Sequence, residues 1–146
     1  MALSKTISVV PTLLLGGLSA LHVAWARGST VPYDSAKELS RNVTGQKTPP
    51  TPGATATVAG ALGVGTALSA GFGQKNWFGR LLRRGLMVAM GARAVTGYRG
   101  TTLDVLDWKA NKTFAENDRR VFAPLCAVIA VGLFLSDPAW RRKRRE

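Results

Sequence analysis

Three polar residues, His22, Arg93 and Asp118, lie within or beside long apolar runs of this chain. Imidazole can form hydrogen bonds or contact a haem or quinone. An arginine inside an apolar helix costs roughly 2.5–3.5 kcal/mol on insertion scales, so Arg93 is expected to have a partner, for which Asp118 is the candidate. The sequence has no Ser–His–Asp set, paired-carboxylate site or phosphate-binding glycine loop, so no catalytic residue and no enzyme activity are predicted.

Four apolar runs, near residues 4–26, 54–73, 78–98 and 119–137, predict the elements that position these residues. A helix of about twenty residues rises roughly 30 Å, the thickness of the hydrocarbon core of a bilayer. We therefore predict an all-α fold: one domain forming an integral membrane four-helix bundle, with short interfacial helices in its two long loops. Antiparallel threading places His22, Arg93 and Asp118 at one level, where they could form a polar cluster.

Each of these residues also has a simpler interpretation. Arg93 could extend to the headgroups while Asp118 caps a helix, and His22 could make a hydrogen bond between helices. Trp25 follows His22 by three residues, so both share a helix face and form the candidate cofactor-binding pair. With one His and one Cys in the chain, no metal site is predicted, and the identity of any cofactor stays unknown.

The second apolar run is rich in small residues, which allow helices to approach closely in a bilayer. Pairs at small-x-x-x-small spacing predict a packing face, inside the protein or against a partner. This face comprises Ala56, Gly60, Ala61 and Gly65. The alternative is a glycine-rich loop, because glycine disfavours helices in water.

Basic residues give a net charge of +12 and crowd the ends of the apolar runs. This placement favours anionic lipid headgroups as partners and argues against nucleic acid. The predicted headgroup contacts are Arg80, Arg83, Arg84, Arg141, Arg142, Lys143, Arg144 and Arg145. The basic tail, residues 138–146, indicates that both termini are cytoplasmic. The first run also imitates a secretory signal, although it is long for one.

Three patches of sequence resemble a family of small bacterial four-span membrane proteins of unknown function. They are Leu21-His22-Val23-Ala24-Trp25-Ala26, Arg93-Ala94, and the block from Asp118 to Pro124-Leu125-Cys126. The resemblance implies a four-helix fold in a bacterial inner membrane and highlights His22, Trp25, Arg93 and Asp118. It implies no activity.

The glycine-rich second run and the sparse chemistry lead us to expect a non-catalytic accessory or structural subunit of a larger membrane complex, respiratory or photosynthetic, with other membrane subunits as partners. One alternative is a protein that binds haem, quinone or pigment through His22. The other is a small transporter that uses Arg93 and Asp118.

Overall fold

The computed structural model describes residues 2–104, 109 and 111–137, with side chains from residue 8 onward. In this part of the chain every regular element is helical, which confirms the all-α prediction. The elements are α1 (Ala2–Ala26), α2 (Ala36–Val43), α3 (Pro52–Ala70), α4 (Trp77–Arg99), α5 (Lys112–Asn117), a π-helical turn (Asp118–Phe122) and α6 (Ala123–Leu135).

Local sequence explains where these helices begin and end. Ser35 and Thr51 cap α2 and α3, because their side-chain oxygens accept from the Glu38 and Ala54 N–H groups. Glycines with positive φ follow the last residues of α3 and α4: Gly71 has a φ of 110° and Gly100 a φ of 73°. A short helix predicted in the first loop is present as α2. The one predicted in the second loop falls mostly outside the described residues.

The last three elements follow one another without a break, and the π-helical turn lies between α5 and α6. The Ala123 N–H donates to the Asp118 carbonyl, five residues back, as a π turn requires. Pro124 has no N–H to offer the preceding turn, and its ring needs room there. The wider turn gives that room and sets the direction of Asp118, the first residue of the turn.

The longer helices pack side by side: α1 on α3, α4 on α6, α1 on α6, and, less extensively, α3 on α4. Leu15, Ile129 and Leu133 are fully buried at the centre, with Leu62 and Leu86 partly buried against them. Pro11 of α1 is also buried and lies against Gly132 of α6, where an added Cβ would be 3.0 Å from the proline Cδ. Small residues therefore let α1 and α6 approach closely.

The small residues of α3 do not all face the interior of the protein. Gly65 is buried against Leu86, as expected of a packing residue, but Ala56, Gly60 and Ala61 are exposed. The predicted packing face thus lies inside the protein only at Gly65, and packing against a partner stays a prediction for the other three. Hydrogen bonds from α1 show which side of α3 faces inward. Ser19 donates to the Ala59 carbonyl at 2.8 Å, and Thr12 donates to the buried Ser69 at 2.9 Å.

Two helical segments of the described chain are long and apolar enough to cross a membrane, Ser8–Ala26 and Pro52–Ala70. Arginines interrupt α4, and α6 has 13 residues, so neither passes the same test. Large apolar side chains are nevertheless exposed on all four of these helices, among them Leu13, Val64, Val88 and Val131.

The arginines at the start of α4 behave differently from one another. Arg80 is exposed, in keeping with a headgroup contact, and Arg84 forms an ion pair with Asp137 at 3.2 Å. Arg83 is 3% exposed and donates from Nη2 to Ser136 Oγ at 2.6 Å. The prediction of a headgroup contact is thus wrong for Arg83, because its side chain is buried inside the protein and donates to a hydroxyl at the end of α6. The predicted contacts at residues 141–145 lie outside the described residues.

The turn between α3 and α4 yields a test of packing. Gly79 is buried, and an added Cβ would lie 2.7 Å from the backbone Cα of Gly73. We expect Gly79→Ala to lower the free energy of unfolding by about 1–3 kcal/mol, because the backbone must shift. The measurement is unfolding of the detergent-purified chain followed by circular dichroism.

Gly85→Ala is the matched control, since nothing lies within 4 Å of its added Cβ. Its stability should stay the same or rise by up to about 1 kcal/mol, the gain in helix propensity. Equal stability of the two variants would show that the turn is not closely packed.

Candidate functional site

The structure brings Arg93 and Asp118 together with a third residue, Thr102. Arg93 Nη2 donates to Asp118 Oδ1 at 2.6 Å, and Arg93 Nη1 donates to Thr102 Oγ1 at 3.1 Å. The Thr102 hydroxyl in turn donates to Asp118 Oδ2 at 2.6 Å. These three side chains, the polar clamp, join the end of α4, the following loop and the π turn before α6.

The polar clamp is largely shielded from solvent. Asp118 is 1% exposed, and the Arg93 side chain is 29% exposed. A carboxylate buried this deeply needs a cation and hydrogen-bond donors to offset its loss of hydration. Arg93 and Thr102 provide both, so each carboxylate oxygen accepts one of the short hydrogen bonds.

Gly97 makes room for the polar clamp. A Cβ at this position would lie 2.7 Å from the Ala123 Cβ, 2.9 Å from Arg93 Nη1 and 3.0 Å from Asp118 Oδ1. Any side chain here would therefore separate α4 from α6 and collide with the ion pair. Gly97 follows Arg93 by four residues and shares its helix face, a spacing that could have identified it from the sequence. Thr102 gave no such signal, because it reaches the pair through a loop.

The geometry gives the polar clamp a mechanical role. Each Asp118 oxygen accepts one hydrogen bond from the chain itself, and the residue is 1% exposed, so burial keeps a substrate away from the carboxylate. Removal of a substrate proton by Asp118 would first require the polar clamp to open. The arrangement instead fixes the loop after α4 against the start of α6.

Contacts between the two long loops cover the same end of the protein. Asn111 Nδ2 donates to the Arg41 carbonyl at 2.9 Å and to the Gly45 carbonyl at 3.0 Å. Leu103 and Phe114 lie so close to Gly45 that an added Cβ would be 2.9 Å and 3.1 Å from them. Gly45 also has a φ of 75°, a second reason for glycine there.

His22 is not part of the polar clamp, which corrects the predicted three-residue cluster. Its Nδ1 lies 2.8 Å from the Leu18 carbonyl oxygen, one turn back in α1. The His22 and Trp25 rings do meet, with centroids 4.8 Å apart and an interplanar angle of 57°. Trp25 Nε1 donates to the Val31 carbonyl at 2.7 Å, which ties the loop after α1 to the helix.

A cavity of about 410 Å³ lies beside this aromatic pair. His22 and Trp25 of α1 line it together with side chains of α2, the proline-rich segment and the start of α3, including Leu39, Pro50 and Val58. The two residues predicted as a cofactor-binding pair therefore share one concave surface. Within the described chain no three His, Cys, Asp or Glu side chains are grouped as metal ligands would be.

The polar clamp predicts a large difference between two carboxylates that are two residues apart. We expect Asp118→Asn to lower the free energy of unfolding by about 3–5 kcal/mol, because it leaves the Arg93 charge without its partner in a shielded site. Denaturant unfolding of the purified chain in detergent measures this loss.

Glu116→Gln is the control, since Glu116 pairs with Arg120 at 3.0 Å but its side chain is 62% exposed. Its effect should stay within about 0.5 kcal/mol, as for other exposed ion pairs. Similar losses in both variants would mean that solvent screens the Asp118 pair as well.

Comparison with known proteins identifies a family. The model of a family described as "Protein of unknown function (DUF3995)" matches residues 15–133, which include the polar clamp, His22 and Trp25. Neither a curated protein nor a solved structure matches the chain. The match covers most of the chain and confirms the predicted membership in a family of unknown function: the protein belongs to the DUF3995 family.

Proposed function

We propose that this protein is a four-span integral membrane protein that acts as a non-catalytic accessory or structural subunit of a larger membrane complex. The observation that carries the proposal is the closed polar clamp: its buried carboxylate is bound by Arg93 and Thr102 rather than presented to a substrate. The same closure argues against a transporter that uses Arg93 and Asp118 as its substrate site.

The distribution of side chains supports membrane insertion of α4 and α6 as well as α1 and α3. Two arginines of α4 turn inward to polar partners, Arg83 to Ser136 and Arg93 to Asp118. Val88 and Val95 of the same helix are at least half exposed. Charged groups that face polar partners inside and apolar groups that lie outside are the arrangement that a lipid environment favours.

The outward face of α3 is the proposed partner surface. Ala56, Gly60 and Ala61 are exposed there, and Val64 extends the stripe by one turn. Small residues allow another helix to approach closely, which is how membrane helices associate without a hydrophobic driving force. A complex that transduces energy, respiratory or photosynthetic, would place such a subunit among other helices.

Gly60→Leu tests the partner surface without disturbing the protein itself, because no atom of the described residues lies within 4 Å of an added Cβ. We expect the wild-type protein to migrate with larger partners on native electrophoresis of mild-detergent extracts from its own membranes. Gly60→Leu should lose at least half of this co-migration, because the added side chain keeps the partner helix away.

Gly85→Leu, on α4, is the control, because its added Cβ is equally unobstructed. It should retain the complex. Wild-type protein that migrates as a free monomer would overturn the accessory-subunit proposal, and equal effects of the two variants would overturn the assignment to α3.

We also propose that the protein lies in a bacterial inner membrane with both termini cytoplasmic and its basic residues near anionic headgroups. Four spans return the chain to its starting side, and the basic tail favours the cytoplasm. Green fluorescent protein fused after Glu146 should fluoresce, whereas alkaline phosphatase at the same position should be inactive. The opposite pattern would show that the termini lie on the other side of the membrane. With a cytoplasmic C-terminus, activity of phosphatase fused after Gly73 would contradict the proposal that two spans follow that residue.

A further inference from the structure

We infer that the cavity beside His22 and Trp25 binds a neutral, mostly apolar ring compound that carries a hydroxyl group, such as a phenol or a hydroquinone. The hydroxyl would donate to His22 Nε2. This inference is independent of the accessory-subunit proposal, since it concerns a small molecule and a different surface of the protein.

The position of the cavity favours a ligand that arrives from lipid. It lies where α1 ends and α3 begins, and these are the two helices with segments apolar enough to cross a membrane. Its volume of about 410 Å³ falls within the usual range for small-molecule sites, roughly 300–1,000 Å³. Trp25, at the end of α1, has the position that indole rings favour at a membrane interface.

The lining selects against charge. No Lys, Arg, Asp or Glu is among the described residues that line the cavity. Leu39, Val43 and Val58 supply aliphatic surface, and the saturated rings of Pro49 and Pro50 add to it. An ionic ligand would lose its hydration here without gaining a counter-charge, so a neutral ligand is favoured.

The hydrogen bonds of His22 define what the ligand must offer. A carbonyl oxygen can only accept, so Nδ1 carries the hydrogen in its contact with Leu18. In the neutral ring Nε2 then has a lone pair, and it has no hydrogen-bond partner among the described residues. Because His22 lines the cavity, this acceptor favours a ligand that donates one hydrogen bond.

Several other polar groups of the lining already form hydrogen bonds within the chain. Ser40 Oγ donates to the Thr48 carbonyl at 2.9 Å, and Thr55 Oγ1 donates to the Thr51 carbonyl at 3.1 Å. The Trp25 N–H is likewise taken by Val31 at 2.7 Å, so its indole offers the ligand apolar ring surface. The Thr30 hydroxyl also lines the cavity. A hydroxyl can donate as well as accept, whereas Nε2 of the neutral imidazole can only accept, so His22 is the group that selects for a ligand hydroxyl.

The single histidine makes a direct test possible. The full chain is produced with a histidine-free tag and labelled with ¹⁵N-histidine. It is then titrated in detergent with 4-butylphenol or with 4-butylanisole, in which a methyl group replaces the hydroxyl hydrogen. We expect the Nε2 resonance to shift and saturate with the phenol. The anisole should bind about 2- to 10-fold more weakly, which corresponds to one lost hydrogen bond.

Two substitutions on α3 separate the cavity from general uptake into the micelle. Ala54 lines the cavity, so Ala54→Phe should fill it and remove the saturable shift. Ala56 is exposed and outside the lining, so Ala56→Phe should retain the shift. Circular dichroism checks that both variants fold. The comparison of phenol with anisole uses the unmodified chain and does not depend on either variant.

Four results would overturn the inference. The first three are spectra in which Nε2 is the protonated nitrogen of the neutral ring, the absence of a saturable shift in the unmodified chain, and equal affinity for phenol and anisole. The fourth is a Soret band in the purified protein that is lost in His22→Ala, because Nε2 would then be bound to haem iron.

Discussion

A carboxylate with 1% exposure is the constraint around which one end of this protein is organised. Asp118 is stable there because Arg93 and Thr102 bind both of its oxygens. Their approach requires a glycine at position 97, and the π turn before Pro124 sets the direction of the carboxylate. The ion pair, the glycine at position 97 and the π turn therefore act together to keep the carboxylate buried.

At the other end of α4 and α6 a second buried charge also has a polar partner, which here is a hydroxyl instead of a carboxylate. Arg83, at 3% exposure, is bound by a hydroxyl, and that hydroxyl also donates to the Gly132 carbonyl at 2.6 Å. Gly132 in turn accommodates the buried Pro11 of α1. Polar contacts thus lie inside the protein, while apolar side chains such as Leu13 and Val88 are outside. In water this distribution would be costly, whereas in lipid it is favourable.

The sequence predicts the helices well because their signals are local. Apolar length, capping hydroxyls and helix-ending glycines each act within a few residues, as Thr51 and Gly71 illustrate. Antiparallel threading also placed Arg93 near Asp118, since it depends on helix order and length alone. The sequence does not decide which face of α3 lies inward, because small residues occur all around that helix. Hydrogen bonds from Thr12 and Ser19, which no periodicity reveals, decide that rotation.

His22 shows why a shared level does not imply a shared site. The Leu18 carbonyl of its own helix satisfies Nδ1, so the ring needs no partner on α4 or α6. The loops therefore differ between the two sides of the protein. Asn111 and the polar clamp close the α4–α6 side, whereas prolines and aliphatic residues line a cavity on the α1–α3 side. Asn111 nevertheless ties the second loop to α2, whose Leu39 and Val43 line the cavity. A neutral ligand would not compete for this hydrogen bond, so it could enter and leave while the loops stay in place.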